Sequence, residues 1–396
     1  MQHRSEMSIT TVLLIVLCNM SSFRASRVLM SLFALELGAS QFYIGIMIAM
    51  YSFFPALLAV HAGKFSDRLG VRLPVLAGSL GIAAGLAVPW LWPTVAALYV
   101  SAALIGSSHT LYNVATQNLV GSLGGPGAHT QNFSNYALAM AIGSSVGPLG
   151  AGVAIDHFGY AASYLYFTLL PLVPALIMAR ARGVSAGQRK KTEEEQAVLA
   201  SSLLGNRVLR GTLIGGAVAT TGQDLFQFYM PIYGHAAGLS GSAIGVVLAM
   251  AGISAFLVRI WLPALVKRWG PDAVFTTCLY VSAGAFLLVP MFTDAFMLSV
   301  VSLVLGLGMG CAQPVTLMLI FSRAPEGRSG EALGVRVTIN QVTHIVVPLI
   351  FGSLGSVLGM TPVFVMNSLI LAAGGWLNRG HEKRSGPVRV APDRRE

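Results

Sequence analysis

The sequence predicts an all-α polytopic membrane protein, with twelve transmembrane helices in two six-helix repeats about a pseudo-twofold axis along the membrane normal. Three observations predict it. Apolar residues make up 55% of the 396-residue chain and charged residues 10%, whereas soluble domains carry about a quarter charged residues. The apolar residues gather into runs of about 20, long enough to cross a hydrocarbon core of about 30 Å. The two halves also repeat each other at a constant offset of 200 residues, as Gly38 and Gly238 do.

The expected spans are about 8–34, 41–62, 74–93, 95–120, 131–155, 160–181, 208–235, 241–265, 273–292, 295–320, 331–357 and 361–378. Mean hydropathy is +0.71. Glycines and prolines recur inside these runs, which membrane helices tolerate and soluble ones do not. Cys18, Cys278 and Cys311 all fall in apolar runs without CxxC spacing, so they read as core residues and not as a disulfide or metal framework. The first run is too long for the apolar core of a cleaved signal peptide.

The basic residues sort to one side of these spans. Arg4, then Lys64, Arg68 and Arg72, then Arg180 to Arg210, Lys267 and Arg268, Arg323 and Arg328, and Arg379 to Arg395 flank one face, and the loops of the other face hold no Lys or Arg. The positive-inside rule makes the basic face cytoplasmic, with both termini there, in the bacterial inner or plasma membrane. The net charge of +10 is thereby spread over membrane-flanking loops, which gives no reason to expect a nucleic-acid partner. The organisation expected is an N-terminal six-helix bundle (1–182), a polar cytoplasmic linker (183–206), a C-terminal six-helix bundle (207–378) and a disordered basic tail (379–396).

The repeat needs no gap. Gly45, Ala49 and Met50 match Gly245, Ala249 and Met250. Arg68 and Gly70 match Arg268 and Gly270. Gly106 and Thr116 match Gly306 and Thr316, and Pro148, Gly152 and Gly159 match Pro348, Gly352 and Gly359. Two repeats of the same orientation place a substrate site near the midplane between them, as transporters do.

The stretch GKFSDRLGVR (63–72) interrupts two apolar runs at a cytoplasmic turn, and VKRWG (266–270) is its copy in the second half. Its Gly63, Asp67, Arg68, Gly70 and Arg72 resemble the G-x-x-x-D-R-x-G-x-R loop of the major facilitator superfamily, and the resemblance extends over essentially the whole chain. The second copy keeps only Arg268 and Gly270. The resemblance implies that the loop carboxylate sits against the second half and latches the cytoplasmic side. Asp67 is suited to a helix N-terminus there and Gly63 to close helix approach. The alternative is that these charges only enforce topology.

In span five, Gly143, Gly147, Pro148 and Gly152 resemble the G-x-x-x-G-P-x-x-G-G element of antiporters in the superfamily's drug-efflux branch, with Ala151 replacing one glycine and Ser134 another upstream. Ordinary small-residue packing is the plainer reading. The branch's span-four arginine is missing, since Ala102 occupies its position. This counts against that branch's usual proton route.

Arg24, Arg27, Asp224, Arg259 and Arg336 lie inside spans one, seven, eight and eleven. Charges at such depth are expensive and normally face a cavity. Arg24 and Asp224, 200 residues apart, are expected to attract across it, with Asp224 the best candidate proton carrier; a static ion pair is the alternative. Arg27 and Arg259 are also placed to snorkel towards the outer and inner surfaces. Arg336, Asn340 and His344 form a polar stripe on span eleven. Gly106, His109, Asn113 and Gln117 form another on span four, while Gln223, Gln227 and Gln313 complete the expected lining. Such stripes suit either a wet cavity or interhelical hydrogen bonds.

Four arginines against one acid complement a carboxylate or phosphate better than a cationic drug. No HExxH, CxxC, GxSxG or GxxxxGK[ST] occurs, so neither a membrane enzyme nor an ATP-driven pump is expected, and no cofactor or metal. A gapless two-half repeat argues for a monomeric carrier over an oligomeric channel. The expected function is transport of a small amphipathic or anionic solute by alternating access, as efflux by proton antiport. The alternative is proton-coupled uptake of an organic anion.

Overall fold

The computed structural model describes residues 7–123, 129–181, 205–325 and 328–385, with side chains described there except at 58–69, 122, 129–130, 329–330 and 380–385. The described residues form eleven α-helices, a 3₁₀ turn at Val289–Met291 and no strand. The helices are α1 (Ile9–Glu36), α2 (Gln41–Leu69), α3 (Arg72–Leu91), α4 (Val95–Ser122), α5 (His129–Arg180), α6 (Arg207–Ala236), α7 (Gly241–Trp269), α8 (Pro271–Leu288), α9 (Ala295–Arg323), α10 (Ser329–Leu358) and α11 (Met360–Ser385). Helix α5 is two arms in one: Gly159 breaks it with φ 75° and ψ 173°, so it carries both the fifth and the sixth expected spans.

Nine segments among the described residues are long and apolar enough to cross a membrane. The expected twelve crossings are reached only by counting both arms of α5 together with α2 and α6. Helix α6 falls short because Arg207, Arg210, Gln223, Asp224 and Gln227 dilute its hydropathy. The linker residues 182–204 lie outside the described residues, as do 386–396 of the expected tail, and α11 continues past the expected tail boundary to Ser385.

Several helix ends satisfy their own backbone groups. Thr94, Asn206, Ser240 and Asp294 accept first-turn N–H groups through their side chains. At the C-terminus of α1, Ala39 N donates to Ala34 O and Gly38 N to Leu35 O; at the end of α6, Leu239 N donates to Gly234 O and Gly238 N to His235 O. These are the same Schellman closures 200 residues apart, and both need the left-handed backbone of Gly38 (φ 78°) and Gly238 (φ 79°).

The pairs Gly70/Gly270 and Gly159/Gly359 share positive φ as well, so every positive-φ glycine among the described residues has a partner at the same offset. The repeat seen in the letters is therefore a repeat of backbone geometry.

The bundle has two unlike ends. The turns at 37–40, 92–94, 156–159, 237–240, 292–294 and 359 form an end without Lys or Arg, here called the turn end; Arg72, Lys267, Arg268, Arg323 and Arg328 mark the basic end. The halves meet along two seams, α2 with α10 and the first arm of α5 with α7. The seams are related by the repeat: Gly45 lies against the Pro348 carbonyl, and a Cβ at Gly245 would stand 2.7 Å from the Pro148 carbonyl. Backbone meets backbone at both places, which only glycine permits.

The basic end is braced within each half. Arg72 donates through Nε to Met178 O (2.9 Å) and through a terminal nitrogen to Ala179 O (2.6 Å), a cation on the last carbonyls of α5. The position equivalent to Arg72 in the second half is Asp272, which pairs instead with Arg323 at 2.5 Å, both nearly inaccessible to solvent. The side chains of Gly63, Asp67 and Arg68 lie outside the described residues.

Candidate functional site: a cationic cavity between the halves

A cavity of about 380 Å³ lies between α1 and the first arm of α5 on one side and α6, α7 and α9 on the other. Arg24, Arg27, Gln223, Gln227, Arg259 and Gln313 line it together with Met20, Tyr136, Met140, Phe226, Phe256 and Met309. Every hydrogen bond between the halves among the described residues involves Gln227 or residues nearer the turn end. The turn end is thus the closed side.

Helix α1 delivers two guanidinium groups to one acceptor. Arg24 and Arg27, one turn apart, both donate to Gln227 Oε1 across the interface, at 2.5 and 2.9 Å. A neutral amide oxygen cannot neutralise two cations, and the Nε atoms of both arginines are buried without a partner. The pair retains unused donors and uncompensated charge, the condition a carboxylate or phosphate would relieve.

Span five makes room for this. A Cβ at Gly147 would stand 2.9 Å from the Arg24 Cβ, and one at Gly143 2.9 Å from the Met20 Cβ. Pro148 and Gly152 then carry the same helix across to α7 at the turn end.

Asp224 does not pair with Arg24. Its Oδ2 lies 2.5 Å from Nδ1 of His344 on α10, with Asp224 buried and the His344 side chain about one-third exposed (34%). Gln227, one turn on, takes the place expected for Asp224 opposite Arg24. Arg27 joins the cluster, and Arg259, an exposed residue, donates from Nε to Gly310 O at 3.1 Å while lining the cavity.

Arg336 reaches the cavity at one remove. It donates to Gln313 Oε1; Gln313 Nε2 donates to Thr220 Oγ1 at 3.3 Å, and that hydroxyl lies 3.4 Å from Asn340 Oδ1. The span-four stripe is packed at Gly106 and His109, joins the cavity-lining Tyr136 at Asn113 and ends exposed at Gln117. Gly106 abuts Tyr51, and His109 stacks on Phe23 with centroids 3.7 Å apart. Asn113 Oδ1 accepts from Tyr136 OH (2.8 Å) and Gln117 Nε2 (2.9 Å). Tyr136, which lines the cavity, was not singled out from sequence; its only signal is its place on the α5 face that carries Met140 and Ser144. Ala102 is fully buried in the apolar core. Among the described residues no cluster of His, Cys, Asp or Glu is arranged to hold a metal.

The model of the Major Facilitator Superfamily matches residues 12–348 and, in a second match, 265–395. The chain belongs to the major facilitator superfamily. It is similar to the multidrug efflux pump LfrA of Mycolicibacterium smegmatis, 22% identical over 356 residues that cover 76% of this chain and 71% of that pump. It is also similar to the multidrug resistance protein MdtG of Dickeya zeae, 22% identical over 88% of each chain.

In structure this superfamily member is similar to the nucleoside transporter NupG (TM-score 0.79, 12% identity, 94% of this chain and 100% of that one). It is similar as well to the peptide transporter POT (TM-score 0.77, 16% identity, 95% and 94%). It is an integral membrane transporter of small molecules.

Proposed function

We propose that the protein moves a small amphipathic organic anion by alternating access, exporting it in exchange for protons. The bundles 1–182 and 207–378 would rock about the central cavity, with 183–206 as the cytoplasmic linker. The single observation that carries the substrate class is the convergence of Arg24 and Arg27 on one neutral acceptor, with Arg259 on the same cavity and the acid, Asp224, already engaged by His344. The apolar walls from Met20, Phe226, Phe256 and Met309 suit the non-polar body of such a solute. Efflux is supported by the similarity to a multidrug efflux pump and a multidrug resistance protein and by the span-five glycines that seat α1 and α7.

The basic end is taken as cytoplasmic by its lysines and arginines, which makes the conformation described here inward-facing in the inner or plasma membrane. Asp224 and His344 form the candidate proton-carrying pair, and a monomer suffices for the cycle. Uptake by proton symport is the second reading, favoured by Ala102 at the position where the efflux branch has its arginine. Reconstituted vesicles with an imposed pH gradient separate the two. Antiport predicts that a proton gradient drives anion movement against the proton flow, and symport predicts movement with it; indifference to the gradient in both directions would end the proton-coupled reading.

A further inference from the structure

A second cavity, of about 280 Å³, lies between the first turns of α6 and the last turns of α11 at the basic end, and shares no residue with the central one. Its lining is Arg207, Arg210, Gly211, Ile214, Gly215, Gly374 and Leu377.

The sequence explains its shape. Asn206 caps α6 by accepting from Val208 N and Leu209 N at 3.0 and 3.2 Å, which fixes the first turn and sets Arg207 and Arg210 on one face of it. The two helices close on each other where a Cβ at Gly374 would stand 2.9 Å from Val218 Cγ1. Nearer the basic end, Gly211 leaves a slot walled by Ile214 and Leu377, each nearly half exposed. Neither guanidinium group has a hydrogen bond or ion pair to another described residue.

We infer that this slot holds one anionic glycerophospholipid, its phosphate on Arg207 and Arg210 and the start of one acyl chain between Ile214 and Leu377. Charge complementarity selects the headgroup: two guanidinium groups beside a capped helix N-terminus attract a net negative phosphate, not a zwitterion carrying its own ammonium. The apolar slot selects a lipid over free phosphate, because a soluble anion leaves Ile214 and Leu377 unused. The site is independent of whether the central cavity carries anions or anything else.

The test is native mass spectrometry of the full chain in detergent, titrated with phosphatidylglycerol, with phosphatidylcholine, and with phosphatidylglycerol in the presence of inorganic phosphate. The expected result is retention of phosphatidylglycerol at least about tenfold tighter than phosphatidylcholine, falling to the phosphatidylcholine level in R207Q/R210Q and weakened in G211L. Inorganic phosphate at millimolar concentration should not displace it.

Equal binding of the two lipids, an undiminished preference in R207Q/R210Q, or unaltered binding in G211L would overturn the assignment. Displacement by phosphate would make this a phosphate site and overturn the lipid. Photoreactive acyl-chain phosphatidylglycerol tests the wild-type chain directly, so failure of a variant to fold leaves the question answerable: labelling within 207–218 and 370–377 is expected, and labelling confined elsewhere refutes the site.

Discussion

Asp224 Oδ2 and His344 Nδ1 stand 2.5 Å apart, an acid–base pair that ties α6 to α10 next to the cavity. A proton placed on either member alters the charge balance with Arg24 and Arg27, which bond Gln227 one turn along α6 from Asp224. Asp224→Asn retains the shape and removes the carboxylate. Anion transport driven by a pH gradient should fall to the level of empty vesicles in this variant, while gradient-free exchange of labelled for unlabelled substrate persists. Full pH-driven transport in the variant would free Asp224 of the role.

Arg24 and Arg27 are expected to bind the anion, so each should count in affinity more than in stability. Loss of one charge-assisted hydrogen bond costs about 1.5–3 kcal/mol, or roughly 10- to 100-fold in Kd. Arg24→Gln and Arg27→Gln should weaken anion binding by that factor, measured by calorimetry on purified protein, with Tm unchanged to within a few degrees. An unaltered Kd in both variants would exclude an anion at this cluster.

The turn end closes by backbone contact at Gly245 and Pro148. A branched side chain cannot be accommodated there, because the atom it meets is a carbonyl oxygen that cannot swing aside. Gly245→Val should hold the turn end open, seen as labelling of a cysteine placed at the cavity-lining Ser144 by an impermeant reagent added from the turn-end side, and should abolish transport while the protein remains folded. A variant that closes and transports normally would show that the seam tolerates more separation than the packing implies.

Asp272 and Arg323 are the nearly inaccessible ion pair of the basic end, and Arg323 also donates to Thr212 while Asn378 donates to the Asp272 carbonyl. Removing one partner leaves a buried charge uncompensated, at about 3–5 kcal/mol. Asp272→Ala should lower the Tm far more than Glu331→Ala, which breaks only the half-exposed pair with Arg328. Equal shifts in a thermal melt would contradict this ranking.

Much of this architecture was legible in the letters, and the limits follow from what periodicity encodes. Long apolar runs fix where helices are, and the 200-residue offset fixed their pairing, down to the positive-φ glycines. Helix α6 was harder by hydropathy alone because the polar residues on or beside the cavity wall, Gln223, Asp224 and Gln227, are among those that dilute it. Equal depth placed Arg24 level with Asp224, but depth says nothing about which way a side chain leans, and Asp224 leans to His344, 120 residues away. On α4 the polar stripe divides: His109 stacks on Phe23, while Asn113 bonds the cavity-lining Tyr136. A stripe shows which face of a helix is polar; only the neighbouring helix decides what that face does.

The two seams of the turn end are twins in backbone but not in charge. Asp156 accepts from Gly241 N and Ser242 N at 2.7 and 2.8 Å, an ionic clasp on the start of α7, while Ser356 stands at the equivalent place beside α2. The α2–α10 seam relies on Tyr229, whose hydroxyl donates to Phe351 O with Gln41 Oε1 at 3.1 Å. Charge-assisted bonds are about twice as strong as neutral ones. Opening should therefore run like a door hung on one jamb: the α2–α10 side parts first, and the α5–α7 side serves as the hinge until its carboxylate lets go.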